Sequence, residues 1–147
     1  EMYVLAGRNR LYAEQGRVGA NALADRVAEL FARDGEITAR YHSINGGRWN
    51  HMMAQTHIGY TYWQQPDQNV MPDVRRVTPL QRASLGVAVE GLARPAQQIS
   101  RLGNAVLPEL SPFSTMQARY IEIYNRGRAP FEYSARSARS WVHLSER

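Results

Sequence analysis

The chain has 147 residues, of which 44% are hydrophobic and 21% are charged; this composition is typical of a globular protein and excludes a disordered or fibrous one. A chain of this length corresponds to about one ordinary domain with its own core. It contains no cysteine, which excludes disulfides, a thiolate zinc site and a cysteine nucleophile.

The formal net charge of +5 comes from arginine alone, because the chain has no lysine. A basic chain suggests phosphate or polyuronate partners. The arginines of the first forty residues alternate with acids, however, and pairs such as Glu29 with Arg33 have the spacing of helix-surface ion pairs. This pattern favours solvated helix faces, and since no nucleic-acid motif is present we predict no nucleic-acid partner.

No apolar run reaches the roughly 18 to 20 residues of a membrane-spanning helix, so no membrane partner is expected. Residues 1–10 carry no signal-peptide pattern. The chain begins at Glu1, inside what reads as a helix, and ends in strand-like sequence. We therefore expect an excerpt of a longer polypeptide.

Three helices are predicted in the first third. The first ends near Gly16, the second occupies residues 21–34 and ends at Gly35, and a shorter third one is stopped by Gly46 and Gly47. Each has apolar residues spaced for one buried helix face: Val4, Leu5, Leu11 and Tyr12 in the first, Leu23, Val27, Leu30 and Phe31 in the second, and Ile37, Tyr41 and Ile44 in the third. The pattern predicts a helical hairpin or part of a bundle.

Helical periodicity is lost over residues 48–72, which predicts an ordered, irregular connection. Thr78, Pro79 and Gln81 have the spacing of a short capped helical turn. Strands are predicted at residues 85–91, 119–124, 131–135 and 141–145, with a turn at 125–127. The predicted fold class is α+β: a helical-bundle segment over residues 1–75, then the start of an incomplete antiparallel β-sandwich over 76–147, with the boundary near residues 73–82.

Residues 48–63, named the aromatic loop below, combine tryptophan, tyrosine, histidine and methionine with amide and hydroxyl side chains. Such a mixture suits stacking on sugar rings and hydrogen bonding to their hydroxyls. The alternative is a small satellite core beneath a long loop. Its members would be Trp49, Met52, Met53, Tyr60 and Trp63.

Catalytic and metal sites are not predicted. His51 and His57, with His42 as a third ligand, lack the helical spacing of a zinc site, and no carboxylate lies between Glu36 and Asp67. The aromatic loop therefore also lacks the carboxyl pair that glycoside hydrolysis usually needs. No GxSxG motif is present, so we expect no catalytic residue, no metal and no cofactor in this chain.

The run GGRWNHMMAQTHIGYTYWQQPDQNVMP, residues 46–72, resembles the signature of family 115 glycoside hydrolases, the xylan α-1,2-glucuronidases. The preceding elements RLYAEQGR and LFARDGEITARYHSINGG resemble the same family, and GVAVEG and RYIEIYNRG resemble the opening of its C-terminal β-sandwich. The resemblance covers nearly the whole chain. It departs at Arg48 and Ala54, where the family often has lysine and an acid.

The resemblance implies a fragment of an inverting hydrolase that removes glucuronic acid or its 4-O-methyl ether from glucuronoxylan. The catalytic barrel would lie before Glu1, and the family's catalytic acids have no matching positions here. The implied partners are glucuronoxylan, the rest of the same polypeptide and a second copy in a homodimer. The implied location is outside the cytoplasm, secreted or periplasmic, in a bacterium or fungus.

Five residues are the predicted substrate contacts: Trp49, His57, Tyr60 and Trp63 shape a sugar-facing surface, and Arg48 attracts a uronate carboxylate. Of these, we expect Tyr60 and His57 to contact sugar and the two tryptophans to be mainly structural. The alternative function is a stand-alone carbohydrate-binding or adhesion module, with the aromatic side chains as a stacking platform and no chemistry.

Overall fold

The computed structural model describes residues 1–91, 106–109, 113 and 118–145. Within them the chain forms helix α1 (Met2–Gln15), helix α2 (Ala20–Gly47), strand β1 (Leu85–Val89) and strand β2 (Ile121–Asn125). The strands form one antiparallel pair in which Val87 lies opposite Ile123. The predicted α+β fold class is confirmed, although the described residues contain a two-stranded sheet and not a sandwich.

Helices α1 and α2 form the predicted hairpin. Gly16 closes α1 in the left-handed conformation (φ 69°), and its N–H bonds back to Ala13 O. The side chain of Asn9, in the middle of α1, reaches the first residue of α2, while Glu1 pairs with Arg26 one and a half turns further along. Contacts that move backward in α1 as they move forward in α2 define an antiparallel pair.

The buried face of α1 differs from the predicted one. Val4 is 68% exposed, whereas Ala6, Asn9 and Gln15 are buried. Alanine allows two helix backbones to approach closely, and Ala20 and Ala24 of α2 are also fully buried. The helix pair is therefore held largely by small residues and polar side chains, and not by the large apolar residues predicted for α1.

The prediction that Gly35 ends the second helix is wrong. Helix α2 runs on through Gly35 and leaves helical geometry only at Ile44–Gly46, so the predicted third helix is its second half. A glycine within a helix costs only about 0.5 to 1 kcal/mol relative to alanine. That cost is too small to stop a helix flanked on both sides by good helix-forming residues.

Three further local predictions are wrong. Residues 131–135 and 141–145 are irregular and not strands. Thr78, Pro79 and Gln81 form no helical turn, because Leu80 pairs with the turn after β2: its N–H donates to Arg126 O and its carbonyl accepts from Arg128 N. This non-local pairing prevails over a local capping pattern. The predictions of strands at 85–91 and 119–124 and of the irregular connection are confirmed.

Two asparagines hold the returning chain in the cleft between the helices. Asn9 is fully buried; its amide donates to Ala20 O and Arg75 O, each at 2.8 Å, and its oxygen accepts from Arg75 N at 2.7 Å. Asn21 binds both backbone groups of Val77 in the same way. The two side chains thus replace a neighbouring strand for the segment 75–77, because they bind the backbone groups that a strand would pair with.

Arg17 joins the helices to the sheet. Its guanidinium lies between the rings of Tyr12 (4.3 Å) and Tyr124 (4.2 Å) and forms an ion pair with Glu122. Tyr124 in turn covers Gly86 of β1, where any Cβ would overlap the ring. These contacts cross the predicted boundary near residues 73–82, and the division into two domains stays a prediction.

Candidate functional site

A groove of about 630 Å³ lies between the second half of α2 and the aromatic loop. Helix α2, with 28 residues, is twice as long as α1, with 14, so its second half extends beyond the antiparallel pair. The loop turns back at Gly46 and Gly47, which both have positive φ, and covers this part of α2.

Both walls of the groove combine polar and apolar side chains. Helix α2 contributes four residues at the i, i+3, i+4 and i+7 positions of one face: Asp34, Ile37, Thr38 and Tyr41. The aromatic loop contributes six: Met52, Met53, Gln55, Thr56, His57 and Tyr60. Of the five predicted contacts the groove therefore brings together His57 and Tyr60 but not Arg48, Trp49 or Trp63.

His57 ties the loop to α2. Its Nε2 lies 2.9 Å from the Asp34 carboxylate, and its Nδ1 lies 3.1 Å from the backbone carbonyl of Gln55. Because a carboxylate and a carbonyl oxygen can only accept, these two contacts favour the protonated imidazole, which carries hydrogen on both ring nitrogens. The hydrogen bond to Asp34, followed by the one to Gln55, raises the pKa of His57 above its ordinary value.

The base of the loop is fixed by backbone contacts. The side-chain oxygen of Asn69 accepts from the N–H groups of His57 and Ile58, and the Tyr3 hydroxyl of α1 accepts from Gly59 N at 2.9 Å. Ile58 is 4% exposed. The loop is therefore held to α1 through the backbone of Gly59 and to α2 through the side chain of His57, which leaves its other large side chains free to face outward.

The prediction of a satellite core beneath the loop is wrong. Trp63 is 90% exposed, Met52 and Met53 are 63% and 64% exposed, and Tyr60 and Trp49 are 43% and 36% exposed. Trp63 is thus not the packing residue expected from the sequence. Ile58 and Thr56, which are buried, take the place of the predicted members.

Arg48 lies apart from the groove. Its guanidinium carbon is 5.6 Å from the centre of the Trp49 ring, within cation–π range. The side chain predicted to attract a uronate therefore stacks on its neighbour at the start of the loop and is not part of the groove wall.

The site predicted from the sequence lacks Asp34, Thr38 and Tyr41. Their i, i+4 and i+7 spacing puts them on one face of α2, but a predicted helix end at Gly35 separates Asp34 from the other two and places Tyr41 in the core of a separate helix. A continuous helix over this region would have placed them together.

No three His, Cys, Asp or Glu side chains within the described ranges converge as metal ligands; the His42 and His51 rings are neighbours at 5.7 Å, while His57 is held by Asp34. No helix in the described part of the chain is both long and apolar enough to cross a membrane.

Comparison with known proteins yields no relative: no protein-family model matches the chain, and no curated protein matches it.

Proposed function

We propose that the chain is a non-catalytic part of a glycoside hydrolase that removes glucuronic acid or its 4-O-methyl ether from glucuronoxylan, with the helical hairpin as scaffold and the aromatic loop as a glycan-facing surface. The proposal takes the family from the resemblance of residues 46–72 to the α-glucuronidases of family 115. The catalytic barrel, the homodimer and a location outside the cytoplasm belong to the same proposal.

The exposure of the aromatic loop is the observation that carries the proposal. Tyr62 and Trp63 are adjacent and are 60% and 90% exposed, on a loop that is attached to α1 through the backbone of Gly59 and to α2 through the side chain of His57. Neighbouring exposed apolar side chains are typical of surfaces that bind a partner, whereas single ones are common on any protein. Pyranose rings stack on such faces while the neighbouring amides and hydroxyls bind their oxygen atoms.

The same exposed pair favours the second candidate, a carbohydrate-binding or adhesion module without chemistry. The two candidates differ in what adjoins this segment in the complete polypeptide. A catalytic barrel encoded before it supports the hydrolase, and an unrelated or absent neighbour supports the module.

Substitution of Trp63 by alanine in the complete polypeptide tests the glycan-facing role. We expect kcat/KM on glucuronoxylan to fall roughly fivefold, the equivalent of about 1 kcal/mol of aromatic contact, with an unchanged Tm because the side chain is exposed. Trp141→Ala is the matched control, since Trp141 is also exposed, at 72%, but lies outside the loop. A loss of Tm at Trp63, or equal kinetic effects of the two substitutions, would contradict the proposal.

A further inference from the structure

The groove between α2 and the aromatic loop has walls suited to a small polar ring. Ile37, Met52 and Met53 offer apolar surface, while Thr38 and Gln55 offer neutral hydrogen-bonding groups. Its volume of about 630 Å³ lies within the roughly 300 to 1,000 Å³ range of small-molecule sites. A pyranose presents the complementary pattern of apolar C–H faces and hydroxyl edges.

The charges in the groove are already paired with each other. Asp34 and His57 form an ion pair at 2.9 Å, and the second nitrogen of His57 is bound to the Gln55 carbonyl. No arginine is among the described residues that line the groove. The groove walls therefore offer no cation with a free N–H donor.

A ligand carboxylate would be disfavoured in this setting. Carboxylates are bound by charge-assisted hydrogen bonds, most strongly by the fork of an arginine. Here a carboxylate would have to displace Asp34 from His57, close to the Asp34 carboxylate itself, whose side chain is 35% exposed and faces the groove. Like charges placed together weaken binding and exclude the wrong ligand.

We propose that this groove binds an uncharged pyranose unit and discriminates against a uronate. Within glucuronoxylan this assigns the groove to the neutral sugar backbone, not to the glucuronic acid side group, and it revises the role expected for His57 and Arg48. The inference rests on the proposed glycan-facing function and adds to it the class of sugar. His57 acts in it as a paired structural cation.

The methionine methyl groups provide a local probe. Met52 and Met53 line the groove and Met71 does not, so in protein labelled with ¹³C at the methionine methyls Met71 is an internal reference. The sugars added are xylotriose, methyl glucoside and methyl glucuronoside; the last two differ chiefly in one carboxylate. We expect the neutral sugars to shift Met52 and Met53 and the glucuronoside to require roughly tenfold higher concentration.

Two substitutions in the groove extend the experiment: one should allow the uronate to bind, and the other should block the groove. Gln55→Arg adds a cation to the loop wall and keeps the backbone carbonyl that holds His57, so we expect the glucuronoside to shift the same methyls at concentrations close to those of methyl glucoside. Ile37→Trp fills the groove from an exposed position of α2, 57% exposed in the structure, and should abolish the shifts without unfolding the protein.

The outcomes separate the inference from the proposed function. Equal or stronger shifts with the glucuronoside in the unsubstituted protein overturn the charge discrimination and leave the glycan-facing role standing. Absence of shifts with every sugar overturns the groove as a pyranose site, and the kinetic effect of Trp63→Ala then decides the proposed function by itself.

Discussion

At the scale of single residues, hydrogen bonds of buried amide side chains stabilise this fold, which has a small apolar core. The apolar core of the described residues consists mostly of alanine and valine. Asn9 is fully buried beside it and forms three hydrogen bonds. A buried polar group is tolerated only when it is paired, and Asn9 in turn pairs the backbone of Arg75. Its removal affects both partners.

Asn9→Ala should therefore destabilise the protein by about 2 to 3 kcal/mol, because three hydrogen bonds of a fully buried side chain are lost, and this outweighs the better helix propensity of alanine. Denaturant unfolding measures the loss. Asn50→Ala is the control, since Asn50 is exposed and its substitution should change stability by less than about 0.5 kcal/mol. Equal effects at the two positions would show that the Asn9 bonds add nothing.

The pair of His57 and Asp34 makes loop attachment depend on pH. Because folding raises the pKa of His57 above its ordinary value of 6.5, the stabilisation is complete below that value and is lost as pH rises through the higher folded-state pKa. The Tm difference between the native protein and His57→Gln should thus be largest in acid and vanish in alkali. His51→Gln, at another exposed histidine of the loop, is the control, and a pH-independent difference at His57 would contradict the ion pair.

At the scale of elements, backbone conformation and not glycine content decides where α2 ends. Gly35 and Gly46 both have open space where a Cβ would stand, but only Gly46 has a positive φ, of 67°. Helical residues on both sides carry α2 through the first glycine. The left-handed backbone around the second, shared with Asn45 at φ 52°, turns the chain into the aromatic loop.

Alanine at these two positions should have opposite effects. Gly35→Ala should stabilise the protein by about 0.5 to 1 kcal/mol, because it reduces the entropy of the unfolded chain and adds no clash. Gly46→Ala should destabilise it by about 1 to 2 kcal/mol, because alanine disfavours the left-handed region. Thermal unfolding of the pair measures both signs, and each variant is the other's matched control. Two changes of the same sign would refute this account of the helix end.

At the scale of the whole molecule, Arg17 is a central link between the helical hairpin and the two-stranded sheet. Arg17 is 6% exposed and lies between Tyr12 of α1 and Tyr124 of β2. An isolated two-stranded sheet is at best marginally stable in water. The β1–β2 pair therefore depends on its attachment to the helices, which includes this stack, the bond from the Tyr124 hydroxyl to Gln15 O and the backbone bond from Val18 N to Asn125 O.

Arg17→Ala should destabilise the protein by about 2 kcal/mol, because two desolvated cation–π contacts are lost. The stability of Arg17→Lys should lie between those of the native protein and Arg17→Ala, since lysine keeps the charge without the planar stack. Arg26→Ala is the control: Arg26 also has acidic partners, Glu1 and Glu29, but its side chain is 44% exposed, and such a pair contributes at most about 1 kcal/mol. Chemical denaturation of the three variants tests this order of stabilities. Equal losses at Arg17 and Arg26 would contradict the stabilising role of the Arg17 stack.

The sequence by itself determined the features that depend on neighbouring residues. The left-handed end of α1 at Gly16, both strands, the irregular connection and the α+β class follow from glycine positions and from apolar periods of 3.6 and 2. The concentration of aromatic side chains in residues 48–63 is also readable directly. The function proposed for them rests on the resemblance of that run and on its exposure.

Only the tertiary structure decided which side chains meet. The loop turns back along α2, so Asp34 reaches His57 across 23 positions of sequence and Asn9 reaches Arg75 across 66. Neither pair has a local signature, because each forms where the chain folds back: the aromatic loop lies against the second half of α2, and residues 75–77 lie in the cleft between the helices. The same return exposes Trp63 and encloses Ile58: alternation along an irregular loop has no fixed period, so only its anchoring contacts select which side chain points inward.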